Sequence, residues 1–215
     1  MEKYIKRLIA EGEHQTLDFK FEINDAKKIA RSLVAFANTN GGRLLVGVKD
    51  NGNITGIQSE EEAYMIETAS LLYCRPQVKF TVQNHTIDSK IVLEVIVDAS
   101  NEKPHYAPGK DDKWTAFIRV KDENQIANSV IIKVWQRKTQ TKGIFLKYTE
   151  NEQSLLRYIE ENGEITFSKA CRVAKANQNK VENMLANFIA LGIIEPVFNE
   201  HRVSYHITTA GNFTF

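Results

Sequence analysis

The sequence predicts an α+β protein in two parts: a mixed-sheet domain over residues 1–141, then a small helical domain closed by a hairpin over 142–215. Three observations predict it. Helical and strand periodicities follow one another over the first two thirds without the regular alternation of a parallel sheet. The run 33–57 carries an amphipathic helix through Gly41 and Gly42 into an apolar strand and an Asn51-Gly52 turn. A polar break at 141–143 then separates off a helix, helix, helix, hairpin pattern.

In chain order, Tyr4, Ile5, Leu8 and Ile9 give residues 3–11 one apolar helical face, which Gly12 ends. Residues 13–21 alternate, with Leu17, Phe19 and Phe21 on one side and Thr16, Asp18 and Lys20 on the other, as in a half-buried strand. Ala26, Ile29, Ala30, Leu33, Val34 and Ala37 fall at helical spacing behind a cap at Asn24 or Asp25. Residues that tolerate positive φ end this helix, and 44–48, apolar on both faces, reads as a central strand. A helix over 60–73 stops before Pro76. Strands follow at 78–82, 90–97 and 115–120, with a polar turn at 84–89, and a helix at 127–137 closes the domain.

Beyond the break, helices are expected at 151–159, 167–174 and 178–191, with a short strand at 164–167. A hairpin of 193–198 and 202–207 crosses Asn199, Glu200 and His201. This order resembles a winged helix-turn-helix domain.

Composition bounds the function. The 215 residues are 42% hydrophobic and 26% charged with a net charge of +1, so any nucleic-acid surface is a local patch and not a whole-chain polycation. Cys74 and Cys171 stand outside metal-ligand spacing and read as free thiols. His14, His85 and His206 show no ligand spacing, and Trp114 and Trp135 read as core anchors. The first ten residues lack the apolar core of a leader, and no apolar run spans a membrane. A cytoplasmic protein with no membrane partner is expected.

Ala35-Phe36-Ala37-Asn38-Thr39 before Gly41-Gly42, and then Gly47, Val48, Asp50, Gly52, Ile54 and Gly56, resemble the signature of the Schlafen-type AlbA domain family. Glu13 followed by Asp18-Phe19-Lys20 is similar to its opening motif, where a glutamate usually stands at the place of Asp18. Lys103-Pro104-His105-Tyr106 and Phe117 to Val120 resemble its later segments. Lys121 and Asp122 depart from the Gly-Ser that usually follows the Arg119 pair. The resemblance covers roughly two thirds of the chain and implies a DNA-binding domain on a mixed sheet.

The resemblance also implies a catalytic alternative. Schlafen-type ribonucleases carry three acidic residues that hold a divalent metal, and the matching positions are Glu13, Asp18 and Asp50. Mg²⁺ or Mn²⁺ takes oxygen ligands and activates water against a phosphodiester, and Lys20 would stabilise the phosphate charge. The plainer alternatives are a loop residue at Glu13, a turn residue at Asp50, and solvated strand residues at Asp18 and Lys20. A phosphate-cradling nucleotide loop is excluded, because the run after Gly42 is an apolar strand without the Lys-Ser/Thr pair.

Two basic surfaces are candidates for nucleic acid. In the first domain Lys27, Lys28 and Arg31 share the polar side of the long helix, Arg43 follows the turn, and Lys103, His105, Lys110, Lys113 and Arg119 would extend the patch. A solvated helix face is the alternative. In the second domain Lys175, Asn177, Gln178, Asn179, Lys180 and Asn183 would face a duplex, with His201 and Arg202 at the wing. Residues 145–215 nevertheless hold seven Lys or Arg against eight Asp or Glu, which suits a protein-interaction module as well. The expected function is nucleic-acid binding, as a dimeric DNA-binding transcriptional regulator with DNA as partner. A metal-dependent endoribonuclease acting on RNA and an interaction scaffold are the alternatives. No cofactor is expected beyond the metal of the nuclease reading.

Overall fold

Apolar periodicity dictates how the first unit is layered. In the computed structural model α1 (Glu2–Glu11) buries Ile5 and Leu8. β1 (Leu17–Lys20) follows, then α2 (Ala26–Asn38), β2 (Gly42–Val46), α3 (Glu61–Tyr73), β3 (Thr81–Ile87) and β4 (Lys90–Val97). The four strands form one sheet in the order β1-β2-β4-β3, parallel between β1 and β2 and antiparallel elsewhere. Strand alternation gives each face its own core. Leu17, Phe19, Leu45, Ile87 and Val92 meet α1. Leu44, Val46, Leu93, Val95 and Val97 meet α2 and α3. The chain ends this unit with two small hairpins, β5 (Ala107–Pro108) with β6 (Trp114–Thr115), and β7 (Phe117–Val120) with β8 (Glu123–Ile126). The structure describes residues 2–59, 61–138, 143–144, 146, 148–199 and 202–208.

α2 is the most buried helix here, with Ile29, Ala30 and 32–38 all inaccessible. Asp25 caps it, its side chain accepting from the Lys27 and Lys28 N–H groups. Gly41, at φ +73°, turns the chain where a Cβ would lie 2.7 Å from the Val97 carbonyl oxygen. Gly42 has no positive φ; it is small because the Phe36 ring packs over it. Gly47 has both constraints, with φ +91° and the Gly56 backbone 2.7 Å from a built Cβ.

Several expected boundaries move. The turn after β2 is centred on Asp50 and Asn51, not on Asn51-Gly52: the Gly52 N–H bonds the Lys49 carbonyl, and Gly52 follows at φ +81°. That is a three-residue loop with glycine in the left-handed position. The expected polar turn at 84–89 is mostly strand, since β3 runs to Ile87 and only Asp88 and Ser89 turn, both at positive φ. Its polar residues reflect a strand with one exposed face. β8 was not anticipated, and Trp114 is 38% exposed, with the Arg75 guanidinium 4.0 Å from its ring centroid, so it is not a core anchor.

The two compact units divide the chain as Met1–Ala127 and Asn128–Phe215, earlier than the expected boundary at 141. α4 (Ser129–Lys138) therefore falls in the second unit, where Val130 and Val134 join its core. α5 (Glu150–Asn162), β9 (Ile165–Thr166), α6 (Phe167–Val173), α7 (Gln178–Ala190), β10 (Ile194–Phe198) and β11 (Val203–Ile207) follow. The strands pair antiparallel in the order β10-β11-β9. Thr149 and Glu152 cap α5 reciprocally, and Asn177 caps α7. His201, expected at the hairpin tip, lies outside the described residues.

Close approach and strain separate at the glycines. Gly47→Ala is expected to cost about 3 kcal/mol, and Gly12→Ala, with φ +73° but open space around it, about 1 kcal/mol. Denaturant titration of the two variants checks the difference.

Candidate functional site

The first unit gathers its chemistry where β1, α2 and the β7–β8 hairpin meet. Parity along β1 sends Leu17 and Phe19 to the α1 side and Asp18 and Lys20 to the α2 side. Asp18 is 2% exposed and Arg119, on β7, is 3% exposed. The Arg119 Nη2 donates to Asp18 Oδ1 at 3.2 Å and to the Leu17 carbonyl at 3.3 Å. Its Nη1 donates to Asn124 Oδ1 at 3.2 Å, and its charge lies 5.4 Å from the Phe36 ring centroid. Lys20 Nζ stands 3.0 Å from Asp18 Oδ2, to which Ser32 also donates. Asn124 donates to Ser32 at 2.9 Å and closes the ring of contacts.

Two further side chains fasten the hairpin. Gln15 donates to the Arg119 carbonyl at 2.7 Å and accepts from the Lys121 N–H at 2.8 Å. Asn38, at the end of α2, donates to the His105 and Phe117 carbonyls and accepts from the His105 N–H. The expected candidates did not include Gln15, Ser32, Asn38 or Asn124 as site residues. Ser32 and Asn38 had a signal, since each is a polar residue on the apolar face of a helix.

Glu13 reaches the same cluster from the bend before β1. Its Oε1 accepts from the Phe19 N–H at 2.9 Å. Burial, and then a hydrogen bond to Asp18, push its carboxyl up to about 7. Burial pushes the Asp18 carboxyl up as well, but Lys20, the Glu13 bond and Arg119 outweigh it and hold it below the usual range. The pair thus keeps its negative charge on Asp18 and a proton on Glu13 below about pH 7.

The acidic trio does not assemble. Asp50 is exposed in the turn after β2, and among the described residues no three His, Cys, Asp or Glu side chains could hold a metal ion. Both Asp18 oxygens already face cations, so a divalent ion there would meet two fixed positive charges. Glu13, Asp18 and Asp50 do not fit a metal, and Lys20 serves Asp18.

The expected basic patch of the first unit divides. Lys28, Arg31, Lys20 and Lys110 line one open groove of about 690 Å³, floored by Ser32, Phe117 and Asn124. Asp111 is the one carboxylate in its wall, and it is bridged to Lys113 at 2.8 Å. Among the described residues Lys28 and Lys110 carry no ion pair. Arg31 donates to the Pro108 and Gly109 carbonyls at 2.7 and 2.9 Å, with no carboxylate partner. Lys27 is bridged to Asp112 at 2.7 Å. Arg43 projects to the other sheet face, where it binds Glu94 at 3.0 Å. Arg119 is buried and offers nothing to a ligand; the expectation of a surface cation is corrected by its pairing with Asp18. His105 is buried too, bonded to the Pro76 carbonyl and Ser100.

In the second unit Lys175, Gln178 and Lys180 are exposed at the start of α7, but no residue from Val181 to Ala190 is. α4 covers the polar side of that helix. Lys133 bonds Asn179 and pairs with Glu182, and Arg137 donates to Asn183 and Asn187, both at 2.7 Å. Asn179 and Asn183 are therefore held by α4. Arg202 is bridged to Glu164 at 3.0 Å.

This fold and cluster define a class. The family model described as Schlafen, AlbA_2 matches residues 13–128, more than half of the chain. The chain belongs to that family. The comparison with curated proteins finds no match. Among solved structures it is similar to the DIP2311 protein from Corynebacterium diphtheriae, at 20% identity and a TM-score of 0.48, over 74% of this chain and 37% of that one. It is also similar to the N-terminal domain of a protein from Nitrosomonas europaea described as ATP-dependent DNA helicase RecG-related. That match has 20% identity and a TM-score of 0.40, over 56% of this chain and 91% of that one. No helix among the described residues is long and apolar enough to cross a membrane.

The Glu13 proton gives a pH signature. Its folded pKa of about 7 exceeds the ordinary 4.5, so its contribution to stability is fully present below pH 4.5 and is lost as pH rises through 7. Glu13→Gln keeps the acceptor for Phe19 and supplies a permanent donor to Asp18. After allowance for solvent screening, the variant should exceed the parent by on the order of 1 kcal/mol at pH 8 and match it below pH 4.5. Denaturant titration at both pH values checks this.

Proposed function

We propose that the protein binds nucleic acid by laying the phosphate backbone of duplex DNA in the groove of the first unit, without turnover, as a DNA-binding transcriptional regulator does. One observation carries this reading: Lys28, Arg31 and Lys110, none of them paired with a carboxylate among the described residues, line a single groove whose one carboxylate is already neutralised by Lys113. Backbone carbonyls hold Arg31 in place, so its charge is presented at little further entropic cost. Phosphate contacts of this kind position a duplex and do not read its sequence.

The order of α5, β9, α6, α7, β10 and β11 supports a winged helix-turn-helix reading of the second unit. In that reading α7 takes the place of the recognition helix. Its covered polar side favours a protein-interaction role, with Lys175, Gln178 and Lys180 exposed at its start. The endoribonuclease alternative requires a third carboxylate beside Glu13 and Asp18, and Asp50 is not there.

Three phosphate contacts predict that the logarithm of affinity falls with the logarithm of salt concentration at a slope of about −2.7 for duplex DNA. Fluorescence anisotropy with a labelled duplex measures it. The Lys28→Ala, Lys110→Ala pair should bring the slope to about −0.9 and leave thermal stability unchanged, as both side chains are exposed. A salt-insensitive affinity, or a slope unmoved by the pair, contradicts the assignment. Labelled RNA in the same assay decides between the two nucleic acids.

A further inference from the structure

We propose that the outer edge of β3 pairs with the same edge of a second copy of this chain, antiparallel, across a two-fold axis through Asn84. This inference stands apart from the groove, and its test does not use nucleic acid.

β3 ends the sheet order, so one side of its backbone meets no neighbouring strand among the described residues. Exposed edges are normally guarded by charge, proline or a bulge. Thr81–Ile87 reads TVQNHTI, seven residues with no Asp, Glu, Lys, Arg or Pro. Its pairing with β4 runs without a bulge, from Thr81↔Ile96 to Ile87↔Lys90.

The ladder fixes which groups are free. A two-residue turn at Asp88 and Ser89 makes Ile87 and Lys90 a hydrogen-bonded pair, so alternate residues Ile87, His85, Gln83 and Thr81 turn their N–H and C=O toward β4. Val82, Asn84 and Thr86 turn theirs outward. An independent bond confirms the phase. The Ile91 carbonyl, opposite Thr86, accepts from the Ile57 N–H and so points away from β3.

Among two-fold antiparallel registers, the one about Asn84 pairs all three outward residues of β3 with one another. It sets Asn84 opposite Asn84 of the second copy and Val82 opposite Thr86, so that every outward N–H and C=O from 82 to 86 finds a partner. Asp88 of one copy, which is bridged to Lys6 of its own chain at 3.4 Å, then lies opposite Phe80 of the other. Val82 and Ile91, 37% and 41% exposed, lie on the sheet face beside this edge, and pairing would cover part of them. A two-strand junction is smaller than the ~1,600 Å² of a standard stable interface, so association should depend on concentration.

Sedimentation of the full chain from about 1 µM to about 1 mM tests the proposal. The parent should pass from monomer to dimer over that range. Asn84→Lys and Asn84→Glu should each remain monomeric, because each sets like charges opposite one another across the axis. Their thermal stabilities should equal the parent's, since Asn84 is exposed. An equimolar mixture of the two variants should dimerise again, an outcome that only self-pairing at position 84 produces. The proposal is overturned if the parent stays monomeric, if either variant alone associates as the parent does, or if the mixture stays monomeric.

Discussion

The ion pair between Asp18 and Arg119 is the constraint on which the first unit's chemistry depends. Taking both charges out of water costs several kcal/mol for each, and the cost is offset only when every remaining donor and acceptor finds a partner. Here Arg119 donates to Asp18, Asn124 and the Leu17 and His14 carbonyls, and Asp18 takes Arg119, Lys20 and Ser32. The β7–β8 hairpin makes no ladder with the main sheet, so these side-chain bonds, with those of Gln15 and Asn38 and the packing of Phe117 in the α2 core, seat it against β1 and α2.

Seating the hairpin creates the groove. Phe117 and Asn124 form its floor, and Arg31 ties the 108–109 backbone into its wall. The cations of the unit therefore fall into two kinds. Arg119, Arg43, Lys20, Lys27 and Lys113 are occupied by carboxylates. Lys28 and Lys110 face solvent, and Arg31 is fixed by carbonyls that leave its charge unneutralised. A net charge of +1 over 215 residues conceals this division, because whole-chain charge says nothing about which cations are already paired.

The sequence made the helix α2, the glycine turn and the succession of helices in the second unit legible, since each rests on local periodicity and capping. Side-chain roles were less legible, because they depend on partners distant in the chain. Arg119 looked like one more surface cation, yet its neighbours Phe117, Ile118 and Val120 are apolar on both faces of a strand, which is the mark of a buried position. Arg43 follows the patch in sequence but sits on β2, whose parity sends it to the face opposite α2. Asp50 shares a family motif with Glu13 and Asp18, while its place in a three-residue loop keeps it from them. The covering of α7 by α4 joins segments about fifty residues apart and leaves no periodic trace in either.

A double-mutant cycle on the central pair is the most direct measurement. Asp18→Asn and Arg119→Met should each destabilise the full chain by about 3 kcal/mol in denaturant titration, because each leaves a buried partner stranded. The two together should cost about 2 kcal/mol less than the sum of the singles. Strict additivity, or single substitutions that cost under about 0.5 kcal/mol, would show that the groove is held by something other than this ion pair.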